Sequence, residues 1–269
     1  MIAAEDPTEL AGGGIEQLKK ADIDVEVGLC RIEAEKLNAP FYKHGRTGLP
    51  WVVVKWAQSL DGKLGWTNPP ADGNWISNEQ SRADVHRLRK RVQAILTGID
   101  TVLADNPRLT VRIAGRPIEH PPVRVVVDSQ LRMPWDCNLI TVPEAPTIVA
   151  TTAHTAQTEF AQVDKLTSAG VEVMPVPMAD DRCDLAETLT LLGARGLQQV
   201  LVEAGPTLIT AFLKQKLVDE VRIYIAPLIL GANGNADITA AMNTLTSALK
   251  LNNVNIDTFG TDIRICGYL

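Results

Sequence analysis

The residues after an apolar run near position 200 combine a carboxylate with a helix start. Glu203 ends the run QVLVE, and Gly205, Pro206, Thr207 and Leu208 follow it. A glycine here lets a ligand approach the backbone, and the first turn of a helix offers N–H groups to a phosphate. Because a carboxylate at the end of a buried strand is costly without a partner, Glu203 is either a helix cap or, as we prefer, a ligand-facing group.

A second candidate ligand-binding feature is a stretch of basic residues. Residues 82–91 (RADVHRLRKR) are rich in arginine and hold His86 and Lys90 against one acid, Asp84. A solvated helix face is the usual explanation for such a stretch, and a patch for an anionic ligand is the alternative. Arg112 lies downstream, after an Asn-Pro pair. Two arginines beside one crevice would suit a phosphate, which arginine binds through paired hydrogen bonds.

The segment AQSLDGK, residues 57–63, follows another apolar run. Ser, Asp and Gly are turn formers, so spacing alone favours an ordinary turn. The alternative is a ligand-contacting loop, since open α/β sheets bind ligands beyond the carboxyl ends of their strands.

The composition excludes several classes of protein. The chain has 269 residues and a net charge of −6, which argues against nucleic-acid binding. Its four cysteines lie far apart without a CxxC pair, so we expect neither a disulfide framework nor a metal site. Walker, HExxH, GxSxG and strand-linked GxGxxG motifs are absent from the sequence. The sequence contains no signal peptide and no apolar run long enough to span a membrane, so we expect a cytoplasmic protein without membrane contact.

Apolar runs alternate with segments of helical spacing, which predicts an α/β fold with a mostly parallel sheet and helices on both faces. The predicted strands are 51–57, 92–96, 123–127, 147–150, 171–176, 199–203, 221–230 and 263–269. The predicted helices are 77–91, with Ser77 as N-cap, 155–168, 184–195 and 206–215. Before them we expect a strand at 24–29, a helix at 31–38 and a linker at 40–50, with the boundary of the main domain near Gly48.

Four segments in order resemble one family. They are VKWAQSLDGKLG from Val54, residues 74–112, residues 123–134 and residues 200–231. Together they resemble the reductase domain of the bacterial bifunctional riboflavin-biosynthesis protein, a 5-amino-6-(5-phosphoribosylamino)uracil reductase. The resemblance implies a dihydrofolate-reductase-like fold over residues 49–269. It also implies NADPH as hydride donor, a phosphorylated ribosylaminopyrimidine as substrate, and a homodimer.

The resemblance assigns roles residue by residue. The implied cofactor contacts are Ala57, Trp75, Thr101, Asp105, Ser129 and the helix start Gly205, Pro206, Thr207 and Leu208. The implied substrate contacts are Arg89, Leu109, Arg112 and Glu203, with both arginines on the ribose phosphate. As catalytic residues we name Glu203, beside the sugar, and Lys55, to orient or protonate the substrate; a lysine that merely extends to solvent is the alternative for Lys55.

Two features depart from the bifunctional family. The family usually places serine two residues before the tryptophan of its Trp-Ile pair, and this chain has Gly73 there. The resemblance therefore implies the loss of one substrate hydrogen bond, unless the Gly73 backbone or the Asn74 side chain replaces it. Residues 1–48 resemble the tail of a deaminase domain and its linker. The zinc deaminase signature, HxE with PCxxC, is absent from the sequence, so we expect no deaminase activity from this chain.

Two alternatives to this function stay open. One is a reductase of the same fold that uses NADPH on another pyrimidine or pterin, which the glycine at position 73 alone favours. The other is a non-catalytic subunit that pairs with a separate deaminase, which the N-terminal segment motivates.

Overall fold

The computed structural model describes residues 13–71, 73, 75–113 and 118–269. Its contacts divide the chain into two compact units, Met1–Trp51 with Leu189–Gln198, and Val52–Thr188 with Gln199–Leu269. The second unit carries every site residue predicted above. Residues 1–12 and Asn74 lie outside the described residues, and the origin of residues 1–48 as a deaminase-domain tail stays a prediction.

The elements alternate along the chain as the apolar pattern predicts. The helices are α1 Gly14–Lys20, α2 Arg31–Leu37, α3 Ala39–Thr47, α4 Glu79–Arg91, α5 Ile99–Asp105, α6 Asn138–Thr141, α7 Ala153–Thr158, α8 Phe160–Ser168, α9 Leu185–Ala194, α10 Pro206–Lys214 and α11 Ile238–Met242. The strands are β1 Trp51–Gln58, β2 Lys63–Trp66, β3 Ala94–Gly98, β4 Val123–Val127, β5 Thr147–Thr152, β6 Glu172–Val176, β7 Met178–Ala179, β8 Arg182–Cys183, β9 Gln199–Val202, β10 Glu220–Ile225, β11 Gly234–Asp237, β12 Asn252–Phe259 and β13 Asp262–Tyr268.

Nine strands form one mixed sheet in the order β12-β13-β10-β1-β9-β3-β4-β5-β6. The pairs β1–β10, β3–β9, β3–β4, β4–β5 and β5–β6 are parallel. The C-terminal strands β12 and β13 pair antiparallel with each other, and β13 pairs antiparallel with β10. This arrangement confirms the predicted α/β class with a mixed, mostly parallel sheet. The antiparallel strands β12 and β13 form one edge of the sheet.

The centre of the sheet is buried on both faces. Val52, Val53 and Val54 in β1 are fully buried, as are Ala94, Ile95 and Leu96 in β3. Because consecutive side chains of a strand point to opposite faces, uninterrupted burial means that both faces are covered. Burial of each such Val, Ile or Leu side chain stabilises the fold by roughly 1.5–3 kcal/mol relative to leaving it exposed.

Several local predictions differ from the structure, among them the strand predicted at 221–230, which ends at Ile225. Residues 24–29 form no strand beyond one isolated bridge at Val27, and residues 40–50 are mostly helix α3 rather than a linker. Pro40 lies in the first turn of α3, where its missing N–H costs no helical hydrogen bond. Helix α4 is capped by Asn78 and not by Ser77. The predicted helix at 155–168 is two helices that divide at Glu159.

Within the described residues, no helix is both long enough and apolar enough to cross a membrane.

Gly193 in α9 allows a close backbone approach within the first unit. A Cβ atom at this position would lie 2.0 Å from the Gly48 carbonyl oxygen, which belongs to the backbone and cannot turn aside. We therefore expect Gly193→Ala to destabilise the protein by about 1–3 kcal/mol despite the better helix propensity of alanine. Chemical denaturation measures this loss.

Gly14→Ala is the matched control for that substitution, since nothing lies within 4 Å of a Cβ at Gly14. If both variants unfold at the same denaturant concentration as the parent protein, the close approach at Gly193 contributes nothing to stability.

Candidate functional site

Three charged side chains from distant parts of the chain meet in the second unit. The Glu203 carboxylate accepts two hydrogen bonds from Arg89, one from Nε at 2.6 Å and one from Nη2 at 3.0 Å. The Lys55 ammonium lies 3.8 Å from Glu203 Oε2. All three side chains are largely buried, with 11–15% of each exposed. The bidentate pair fixes the plane of the carboxylate, and Lys55 adds a second cation beside it.

The fold explains why these residues meet. Strand β1 carries Lys55, β9 lies next to it and leads into Glu203, and the Glu203 N–H donates to the Leu96 carbonyl of β3. Arg89 comes from the last turns of α4, whose first turn is held in place by Asn78 and Ser81. The buried Asp262 carboxylate accepts from the Asn78 N–H at 2.8 Å and from the Ser81 hydroxyl at 2.7 Å. The C-terminal hairpin therefore anchors the helix that brings Arg89 to Glu203.

The charges of this cluster are set by burial and by each other. Burial opposes ionisation of Glu203, but Arg89 and Lys55 outweigh it and hold the pKa of its carboxyl at about 2. Burial lowers the pKa of Lys55 below its usual value; Glu203 opposes this shift and Arg89 adds to it. Glu203 is therefore an anion throughout the physiological range, and Lys55 gives up its proton more readily than a lysine in water.

A second layer of groups surrounds Arg89. Its Nη1 donates to the Thr110 carbonyl at 3.0 Å, and the backbone N–H of Arg112 donates to His86 Nδ1 at 3.2 Å. Burial lowers the pKa of His86 to about 4, and the charges of Arg89 and Arg112 act in the same direction. His86 is consequently neutral at pH 7, with Nδ1 as acceptor and the proton on Nε2. Within the described residues the Arg112 side chain makes no ion pair, so its charge is available to an anion.

The predicted helix start is present and open. Helix α10 begins at Pro206 with Gly205 as N-cap, and no side chain caps it. The Gly205 N–H donates to the Thr101 hydroxyl at 3.1 Å, so two of the predicted cofactor residues are in contact. Leu208 packs towards Gly98, where an added Cβ would lie 3.3 Å from Leu208 Cδ2. First-turn N–H groups without a capping side chain are suited to a phosphate.

The loop after β1 is held in place by hydrogen bonds to Asp61. The Asp61 carboxylate accepts from the Ser59 hydroxyl at 2.6 Å and from the backbone N–H groups of Leu230 and Gly231 at 3.0 and 2.8 Å. These bonds, led by that from Ser59, lower the pKa of Asp61 to about 2. The turn residues therefore tie the loop after β1 to the loop after β10, as an ordinary turn would; a ligand contact by this loop stays a prediction.

The remaining predicted residues are more dispersed. Ala57 is the register partner of Tyr224, and Leu109 is buried with a φ of 49°. Trp75 is 60% exposed and stacks under Arg82, whose guanidinium carbon lies 5.0 Å from the ring centroid. The Ser129 hydroxyl accepts from the Cys183 N–H at 2.9 Å.

Three predicted cofactor residues, Trp75, Asp105 and Ser129, make no hydrogen bond or ion pair to Gly205 in the described part of the chain. They make none to the charged cluster of Lys55, Arg89 and Glu203 either. Their assignment as cofactor contacts stays a prediction.

Gly73 has a φ of 128°, a conformation that an L side chain rarely adopts. An added Cβ would also lie 3.3 Å from Trp75 Cδ1. The glycine found in place of the family serine thus suits the backbone conformation at this position.

Sequence reasoning missed His86 and Thr110 as neighbours of Arg89, and Tyr224, whose ring centroid lies 5.6 Å from Lys55 Nζ. His86 precedes Arg89 by three positions on α4, a spacing that places two helical side chains on one face and could have identified it. No such local signal exists for the Thr110 carbonyl. In the described part of the chain, His, Cys, Asp and Glu side chains form no group of three that could hold a metal ion.

Known proteins resemble the chain over nearly its whole length. A family model described as the RibD C-terminal domain matches residues 50–265. The riboflavin biosynthesis protein RibD of Aquifex aeolicus is 34% identical over 98% of this chain and 71% of its own length.

Two solved structures give the same result. The structure of Acinetobacter baumannii RibD superposes with a TM-score of 0.82 at 32% identity, over 99% of this chain and 72% of that one. A Thermotoga maritima protein described as a diaminohydroxyphosphoribosylaminopyrimidine deaminase/5-amino-6-(5-phosphoribosylamino)uracil reductase superposes with a TM-score of 0.80 at 26% identity, over 99% of this chain and 70% of that one.

The relatives therefore share the fold, and the family match spans the strands and helices that carry Lys55, Arg89 and Glu203. The Aquifex and Acinetobacter proteins are more than 30% identical over nearly the whole chain. The chain belongs to the RibD C-terminal domain family.

Proposed function

We propose that this chain reduces 5-amino-6-(5-phosphoribosylamino)uracil to its phosphoribitylamino product with NADPH, as a step of riboflavin biosynthesis. The observation that carries the proposal is the buried cluster of Lys55, Glu203 and Arg89 in a chain of the RibD C-terminal domain family. The reductase activity in the description of the Thermotoga relative supports this substrate.

The residues present fit a dinucleotide. The uncapped start of α10 offers the backbone N–H groups of Thr207 and Leu208 to a pyrophosphate, while the Gly205 N–H is bonded to the Thr101 hydroxyl. Nothing but that hydroxyl lies within 4 Å of a Cβ at Gly205, so a ligand can approach the backbone there. Gly205, Pro206, Thr207 and Leu208 would hold the phosphates, with Thr101 beside them. Ala57, Trp75, Asp105 and Ser129 are the further contacts that we propose. NADPH supplies a hydride, and the protein has to hold the two reacting groups together and exclude water.

A positive field suits the phosphate of the substrate. Arg112 makes no ion pair with described residues. Burial lowers the pKa of its guanidinium, and the nearby charges of Arg89 and Arg108 lower it further, which reflects a local excess of positive charge. Arg89 serves Glu203 first, but a guanidinium has more N–H donors than its three bonds to Glu203 and Thr110 use. We therefore assign the ribose phosphate to Arg112 with Arg89 behind it, and place Leu109 against the substrate.

Lys55 and Glu203 have complementary roles in the proposed reaction. Reduction of the open-chain imine adds a hydride to C1′ and a proton to the adjacent nitrogen. Lys55 is a proton donor of lowered pKa, and its Nζ makes no hydrogen bond to any described residue, so its N–H groups remain for the substrate. The ionised Glu203 accepts hydrogen bonds from the sugar hydroxyls and keeps Lys55 charged.

Oxidation of NADPH by purified protein, followed by absorbance, tests the proposal directly. We expect turnover with 5-amino-6-(5-phosphoribosylamino)uracil and none with the corresponding pyrimidine that has not been deaminated. Folded protein that binds NADPH but turns over no phosphorylated pyrimidine contradicts the proposal and favours a non-catalytic subunit. Light scattering on the same preparation tests the proposed homodimer.

Arg112→Ala separates the proposed substrate from one without a phosphate. Loss of a charge-assisted hydrogen bond costs roughly 1.5–3 kcal/mol, so we expect KM for the substrate to rise about tenfold to a hundredfold while the Kd for NADPH stays unchanged. Arg182, an exposed arginine of the β7–β8 hairpin, provides the matched control as Arg182→Ala. An unchanged KM in the Arg112 variant would point to a reductase of another pyrimidine or pterin.

A further inference from the structure

Among the described residues, a carboxylate and an aromatic ring attract the Lys55 ammonium in different ways. Glu203 Oε2 lies 3.8 Å away, which is longer than a hydrogen bond, because the closer bonds of this carboxylate go to Arg89. The other neighbour is the ring of Tyr224, whose centroid lies 5.6 Å from Nζ. An aromatic face within about 6 Å attracts an ammonium without consuming its N–H donors. The ring therefore holds Lys55 and leaves these donors to a substrate.

The sheet register places this ring. Lys55 pairs with Arg222 and Ala57 pairs with Tyr224, so Lys55 and Tyr224 lie on one face of the sheet. Across the next strands Tyr224 pairs with Arg264, and Arg264 pairs with Asp257. One row of side chains thus runs across β1, β10, β13 and β12 on the face that carries Lys55.

A charged network fixes the ring within that row. The Tyr224 hydroxyl donates to Asp84 Oδ2 of α4 at 2.7 Å. Arg264 donates to the same carboxylate and, at 2.6 Å, to Asp257 Oδ2. Tyr224 is 1% exposed, so its ring has no room to change orientation. Burial raises the pKa of Tyr224, and the bond to Asp84 raises it further, which keeps the phenol neutral and donating.

We propose that Tyr224 is a positioning residue that holds the Lys55 ammonium beside Glu203 through its ring, while Asp84 and Arg264 lock the ring from its hydroxyl. Helix α4 serves both halves of this arrangement, because Asp84 anchors Tyr224 and Arg89 anchors Glu203. The effect on turnover rests on the function proposed above; the placement of Lys55 does not.

Two substitutions separate the ring from its hydroxyl. In Tyr224→Leu the ring is lost, and we expect kcat to fall about tenfold with the Kd for NADPH unchanged. In Tyr224→Phe the ring remains and only its anchor is lost, so kcat should stay within about threefold of the parent protein. Tyr268→Leu, at the other end of β13 where Tyr268 pairs with Glu220, is the matched control and should leave kcat unchanged.

A second measurement needs no turnover. In protein with isotope-labelled lysine, the Lys55 side-chain signal is assigned by its loss in Lys55→Met. We expect the Tyr224 ring current to shift this signal in the parent protein and in Tyr224→Phe, and the shift to vanish in Tyr224→Leu. If the shift follows this pattern but no variant reduces the pyrimidine, the proposed function fails and the placement of Lys55 stands.

The positioning role is overturned if Tyr224→Leu leaves both the Lys55 signal and kcat unchanged. It is also overturned if Tyr224→Phe loses as much kcat as Tyr224→Leu while both lower the melting temperature equally, because the hydroxyl network would then act only on stability.

Discussion

Glu203→Gln is expected to lower kcat/KM by at least about a hundredfold and to destabilise the protein by about 3–5 kcal/mol. The carboxylate accepts two bonds from Arg89 and neutralises Lys55, so a neutral amide leaves two cations unbalanced in a largely buried place. The amide also replaces one acceptor oxygen with a donor that faces the Arg89 guanidinium. Steady-state kinetics and chemical denaturation give the two effects separately.

The acid stability of the parent protein and of Glu203→Gln supplies a further check. The folded pKa of Glu203, about 2, lies below the usual 4.5, so its stabilising contribution is present above about pH 4.5 and lost as the pH falls towards 2. The variant should lack this part of the acid-induced loss. Glu187→Gln, an exposed glutamate in the first turn of α9, is the matched control and should behave as the parent protein does. Equal activity in both variants would remove Glu203 from the site.

Lys55→Met is expected to lower kcat about a hundredfold, which is within the usual contribution of a positioned proton donor. The Kd for NADPH should not change, because Lys55 is assigned to the substrate alone. Methionine keeps much of the buried volume and removes the charge, so the protein should remain folded. Lys165→Met on α8, where the lysine is exposed, controls for the loss of a surface charge.

The pH profile identifies the proton donor more directly. A lysine that donates a proton acts below its pKa, so kcat of the parent protein should fall as the pH rises through the pKa of Lys55. Burial lowers that pKa below 10.5, with Glu203 opposing and Arg89 adding to the shift, so the alkaline fall should begin earlier than for a lysine in water. The residual activity of Lys55→Met should lack this fall. An identical alkaline limb in both proteins would assign the proton to another group.

Much of the fold could be predicted from the sequence because the core strands are continuous apolar runs. The predicted run 123–127 coincides with β4, and the runs predicted at 51–57, 92–96 and 199–203 overlap β1, β3 and β9. The predictions failed where local pattern is weak. Residues 40–50 contain glycines and prolines, which predicted a linker. A helix forms over most of them, and Pro40 is compatible with it because it lies in the first turn.

Part of the candidate site could also be predicted from the sequence. Glycine and proline after a buried strand indicated the start of α10, and a carboxylate at the end of that strand required a partner. The partner itself was not predictable. Arg89 precedes Glu203 by 114 positions, and the basic stretch that holds it offers several arginines of the same type.

The sequence by itself determined the class of the fold, the family resemblance and the set of residues that could act on a phosphorylated substrate, because these depend on residue type and on spacing along the chain. The tertiary structure decided which charges meet. It gave Arg89 to Glu203, left the Lys55 N–H groups unbonded within the described residues, and placed Tyr224 beneath Lys55. Strand order, register and the anchoring of α4 by the C-terminal hairpin make those choices, and they arise only when segments far apart in the chain pack together.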